Sequence, residues 1–206
     1  MKINVKNNIK EVTKGLSKTH KEQIPFATSL AINATLGIGK KNRMKGLDGA
    51  LQKQMQKKLD NPMPRTTKAF YRIGSKKRNL TGVLGFTDWA AKFMHYLIEG
   101  GVRSPEKSKI GVPYKTNAKL NTYGNIAGRK SGLIKKQSQF IGKIAGIDGV
   151  WERQKKDADA KLIIGFKNSV TYKPIFPFYK IAKSYCLAKF DVNFTKAFIR
   201  AVKSAK

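Results

Sequence analysis

The chain has 206 residues, 43 of them lysine or arginine against 12 aspartate or glutamate, giving a formal net charge of +31. Its 40% hydrophobic and 10% aromatic content is that of a folded protein and excludes a wholly disordered polycation. The one cysteine, Cys186, excludes an intrachain disulfide framework and leaves a thiolate zinc centre short of ligands. The N-terminal MKINVKNNIK lacks the apolar run of a secretory signal, and no stretch approaches the roughly 18 apolar residues of a membrane span. The expectation is a soluble product of a reducing, intracellular compartment, with a polyanion or an acidic protein surface as partner.

In chain order, Ile9, Val12 and Leu16 follow helical spacing, and Phe26, Ala27, Leu30, Ala31 and Ala34 continue it beyond Pro25. One kinked helix or two helices would satisfy the pattern. Gly37 and Gly39 stop it, and the basic stretch Lys40, Lys41, Arg43, Lys45 follows. Leu47, Leu51, Met55 and Leu59 predict a further helix, ended by Asn61-Pro62-Met63-Pro64 because proline disfavours helix in the residue before it. The period then changes to two: Thr67, Ala69, Tyr71 and Ile73 are expected on one strand face, with residues 80–86 as the partner strand across the 74–79 turn.

Thr87-Asp88-Trp89 predicts a capped helix start, with Trp89, Phe93, Tyr96 and Leu97 as the buried stripe and Gly100-Gly101 as the stop. Residues 102–139, rich in Gly, Pro, Asn, Ser and Lys, read as a long surface loop with a short helix near Leu133. Two strands are expected at 140–153 and 161–171, joined by a polar turn, their glycines marking bulges. After Lys173-Pro174-Ile175-Phe176-Pro177, a last helix carries Ile181, Tyr185, Phe190, Phe194, Phe198 and Ala201 on one face and Lys183, Lys189, Lys196, Arg200 and Lys203 on the other. The expected fold is α+β: N-terminal helices, two β-hairpins forming an antiparallel sheet, a central helix and a C-terminal amphipathic helix. The aromatics concentrate after residue 63, so the expected division is a helical arm at 1–63 and a core domain at 64–206, with 102–139 as an insert.

Catalytic chemistry is sparse. His20 and His95 form no HExxH or HxH arrangement, and His95 sits among aromatics where packing is the expected role. Gly37-Ile38-Gly39-Lys40-Lys41 lacks the GxxxxGK[ST] order of a phosphate loop. Asp157 and Asp159 read as turn residues; Asp148 and Glu152 are the only other close carboxylates, a candidate Mg²⁺ pair for a nuclease without a further acid, base or lysine to complete it. No catalytic residue, cofactor or metal site is assigned. The candidate contacts to DNA or an acidic partner are Lys40, Lys41, Arg43, Lys45, Lys76, Lys77, Arg78, Arg129, Lys130, Lys135 and Lys136, all in predicted turns or loops. Without a base-reading module, such contact would be to phosphates and nonspecific.

The order of segments carries a further signal. KTHKEQIPFATSLAINAT, with Pro25 and Ala31-Ile32-Asn33, leads through a basic stretch to NPMPRTTKAFYRI, with Pro64 and Arg65 before the first strand. Gly100 to Pro105, Lys119 to Asn125, Gly149-Val150-Trp151 and Tyr172 to Tyr179 follow in order, before a basic amphipathic C-terminal helix. This layout resembles the minor tail protein Z and tail-completion family of tailed bacteriophages. The resemblance implies a nonenzymatic virion protein at the head-to-tail junction, a homo-oligomeric ring between portal or connector and tail, close to packaged DNA and away from membranes. The alternative is a nonspecific basic nucleic-acid-binding protein.

Overall fold

The computed structural model describes residues 18–39, 45–105, 108–114, 116–126, 136–155 and 158–204. The helix expected from Ile9, Val12 and Leu16, the helix near Leu133 and six of the candidate basic residues (Lys40, Lys41, Arg43, Arg129, Lys130 and Lys135) lie outside them. The fold is α+β. It divides into two compact units, one formed by residues 1–98 and 175–206, the other by 99–174. The division therefore falls elsewhere than 63/64: the early helices share a core with the first hairpin and the last helix.

In the first unit, α1 (Lys18–Leu36) continues through Pro25 as one helix and packs chiefly against α5 (Phe178–Lys203). Its buried positions are Ile24, Ala27, Thr28, Ser29, Ala31, Ile32, Thr35 and Leu36, a three-four stripe that keeps the expected Ala27 and Ala31 but turns away from Phe26 and Leu30. The face can include threonines because Thr28 and Thr35 donate their hydroxyls to the carbonyls of Ile24 and Ala31, both at 2.8 Å, leaving methyl groups outward. Helix α2 (Leu47–Lys58) buries Leu47, Leu51 and Met55 as the spacing predicts.

A single turn of helix, α3 (Pro64–Thr67), precedes β1 (Phe70–Ile73), which pairs antiparallel with β2 (Val83–Phe86). The face of β1 is reversed from expectation. Phe70 is buried and Arg72 points inward, while Tyr71 and Ile73 are exposed, because Arg72 meets the buried Asp48 of α2 at 3.1 Å. Helix α4 (Asp88–Glu99) buries Ala90 and Met94 most deeply, with Phe93 and Leu97 half-buried and Trp89 exposed under Arg65, whose guanidinium sits 4.5 Å from its ring centroid. The carbonyl of Thr87 accepts the first helical amides, but its hydroxyl donates to Ala69 O rather than capping α4. Phe178 opens α5 and, with Phe70 and Phe86, forms the aromatic centre of this core.

Among its described residues, the regular elements of the second unit are all strands. β3 (Gly101–Arg103) pairs with β8 (Val170–Tyr172), and β4 (Ile110–Pro113), β5 (Gln139–Ile144), β6 (Ile147–Glu152) and β7 (Lys161–Lys167) form an antiparallel sheet in the order β4-β7-β6-β5. With β1-β2, the described strands are thus spread over three sheets. The segment expected as a loop at 102–139 supplies β3 and β4, and the strand expected at 140–153 is itself a hairpin, folded at Ala145-Gly146 with φ of 49° and 80°. A bulge falls at Val150/Trp151. The strand expected at 161–171 ends at Lys167, and β8 turns away to a different partner.

Candidate polyanion-contact surface

The turn after β1 is held by α1. Asn33 grips the backbone of the buried Ser75 from both sides: Ser75 N–H donates to Asn33 Oδ1 at 2.7 Å, and Asn33 Nδ2 donates to Ser75 O at 3.0 Å. The Ser29 hydroxyl donates to the same carbonyl at 2.9 Å, and the Ser75 hydroxyl donates to Asn79 O at 3.1 Å. Lys76 and Asn79 exchange both backbone bonds at 2.9 Å, so Lys77 and Arg78 form the tip of a closed two-residue turn. Lys76, Lys77 and Arg78 are exposed. Three adjacent cations repel one another, and the clamp offsets that repulsion by fixing the backbone beneath them, which also lowers the ordering cost of meeting an anion.

Glu22 is 4.0 Å from Lys77 with both side chains well exposed, a pair of little energetic weight. Lys45, also exposed, ends the other basic stretch beside α2, and its carbonyl accepts the Tyr185 hydroxyl at 2.7 Å. Lys136 belongs to the second unit and donates to Glu152 Oε1 at 2.8 Å. The structure therefore places Lys45 and the 76–78 turn in one unit and Lys136 in the other. Sequence reasoning finds the turn by its charge and misses the clamp, because Asn33 and Ser29 bear no local mark of a partner 42 and 46 residues away.

Asp148 and Glu152, four residues apart on β6, are separated by roughly 13 Å of extended chain, too far to share one Mg²⁺. Each is engaged by a lysine. The hydrogen bond and charge of Lys109 hold the Asp148 carboxyl below its ordinary value of 3.8. Hydrogen bonds from Lys136, Gln139 and Ser138 hold Glu152 below its ordinary 4.5, against an opposing push from burial. Carboxylates depressed in the folded state favour it above their unfolded values, and that contribution fades as pH falls through the depressed ones. Titration followed by carboxyl NMR is expected to show both midpoints below 3.8 and 4.5; Lys109→Met should move Asp148 up, whereas Lys136→Met should move Glu152 only part-way, because Gln139 and Ser138 remain.

Between α2 and α5 lies an open groove of about 800 Å³, lined by Ala50, Lys53, Lys57, Lys180, Ile181 and Tyr185 among others. It adds cations to this unit, with Ser184 and Tyr185 supplying hydroxyls beside them. Burial pushes the Cys186 thiol up, so it stays protonated at neutral pH. His95 is exposed, its Nδ1 2.9 Å from Ala91 O and its ring against Tyr96. Among the described residues no three His, Cys, Asp or Glu side chains gather as metal ligands, and no helix is long and apolar enough to cross a membrane. Comparison with known protein families, curated proteins and solved structures returns no match.

Proposed function

We propose that this chain is a structural protein of the bacteriophage head-to-tail junction, assembling as a homo-oligomer between portal or connector and tail and meeting packaged DNA or acidic neighbours through its basic turns. The observation that carries the reading is the pairing, within one unit, of a stiff cationic turn with a long helix that leaves large apolar side chains in the open. Val192 and Ile199, seven residues apart on α5, lie along one line, and Leu187 is exposed on another part of the same helix. A part held among copies and neighbours has use for both features; the resemblance in segment order supplies the setting. Sedimentation at near-physiological salt is expected to show a closed oligomer that co-assembles with portal or tail components, and Val192→Glu with Ile199→Glu to shift it towards monomer. A monomer that binds duplex DNA tightly and ignores virion proteins would overturn this reading in favour of a free nucleic-acid binder.

A further inference from the structure

The outward face of the β1–β2 hairpin carries an aromatic ring laid over a glycine. Tyr71 stands opposite Gly85 in the register, and a side chain added at Gly85 would meet the Tyr71 ring at 2.7 to 3.0 Å. The ring therefore lies flat across the neighbouring strand, in the space that glycine leaves empty. It remains 38% exposed, so one side is packed and the other faces water. Ile73, next on the same face, is also exposed, and the strand runs directly into the clamped turn with Lys76, Lys77 and Arg78. Tyr71 and the turn tip are roughly 15–20 Å apart along the ribbon.

We propose that this face binds single-stranded nucleic acid, with a base stacked on Tyr71 and the adjoining phosphates held by Lys76, Lys77 and Arg78. Three grounds select that ligand. The cations answer a chain of phosphates, and the described carboxylate nearest them is Glu22, loosely placed at 4.0 Å from Lys77. A flat, open aromatic face accepts any unpaired base, whereas a base in duplex is already stacked on both sides. Stacking on Tyr71 accepts the face of any base, and phosphate contacts from the turn carry no sequence information, so the binding is tolerant of sequence. This goes beyond the assembly reading and does not depend on it.

The test is fluorescence anisotropy with labelled oligothymidine and with a duplex of equal length, across a range of salt. Tyr71→Ala is expected to weaken oligothymidine binding about 5- to 100-fold and to leave duplex binding unchanged, with Tyr71→Trp restoring it. Gly85→Ala should weaken it too by lifting the ring, although every cation remains. Changing Lys76, Lys77 and Arg78 together to glutamine should weaken both ligands and reduce the salt slope for oligothymidine by about 2. The proposal is overturned if Tyr71→Ala binds oligothymidine as the parent does, if the parent prefers duplex, or if polyglutamate displaces oligothymidine as readily as unlabelled nucleic acid. Oligomeric state is measured separately, so this proposal and the assembly reading can fail independently.

Discussion

Replacing Asp48 with alanine is expected to destabilise the protein by about 3–5 kcal/mol, because it removes one partner of a buried ion pair and leaves the other. Asp48 is fully buried; its Oδ2 lies 3.1 Å from Arg72 Nη1 and its Oδ1 accepts a 2.7 Å bond from Gln52 Nε2. Arg72 also donates to Gly37 O at 3.0 Å, so one guanidinium ties β1 to the end of α1 and to α2. The two halves of the pair are not equivalent. The Arg72 side chain retains 21% exposure and has a route to water, whereas Asp48 retains none, so Arg72→Ala should cost at least as much as Asp48→Ala. Replacing both, Asp48→Leu with Arg72→Met, should recover much of the loss. Urea midpoints at constant m-value decide it: equal small losses for both single variants would mean that the pair adds little.

The second large effect is expected at Phe178, where alanine should cost about 3–5 kcal/mol. Its ring centroid is 5.2 Å from that of Phe86, 6.4 Å from Phe70 and 6.2 Å from Phe176, and the side chain is essentially inaccessible. Because Phe178 is the first residue of α5, its loss opens a cavity where the hairpin seats against that helix. Phe178→Leu should cost less, and Leu187→Ala, out in solvent on the same helix, should change stability by no more than about 0.5 kcal/mol. Against a total of about 5–15 kcal/mol for a typical domain, either large variant removes a substantial share. A thermal or urea midpoint for Phe178→Ala close to that of Leu187→Ala would contradict the assignment of this ring to the core centre.

Helices were readable wherever one local period ran long enough. The spacing of Leu47, Leu51 and Met55 predicts α2, and the long stripe after Pro177 predicts α5, because a helix buries what lies three and four residues away. Strand faces were less readable, since a distant charge can reverse them: nothing near Arg72 announces that Asp48, 24 positions earlier, will draw it inward. The hairpin at Ala145-Gly146 hides in a run that is apolar on both sides of the turn, Ile144 and Ile147, so alternation alone carries straight through it. β3 and β4, of three and four residues, are too short for periodicity and are held by backbone pairing to β8 and β7. β4 ends in Pro113, which an edge strand tolerates. For the candidate surface, charge marked the 76–78 turn, while the Tyr71 platform depends on an absent side chain at Gly85, visible only once the register is known.

The first unit is built from two pieces of chain with the second unit inserted between them, and this imposes an order on synthesis. Asn193 on α5 donates to the Thr35 hydroxyl across 158 residues of sequence. The inserted unit is contiguous and, with β3 pairing β8 near its two ends, is free to close as soon as residue 174 has left the ribosome. The part of the α1 stripe that packs on α5 has no such opportunity until Phe178–Lys203 has emerged, about 8–33 seconds after α1 itself at about 5–20 residues per second. A nascent chain stalled anywhere in that interval presents the apolar side of α1 that α5 will cover, the kind of surface that aggregates when left open.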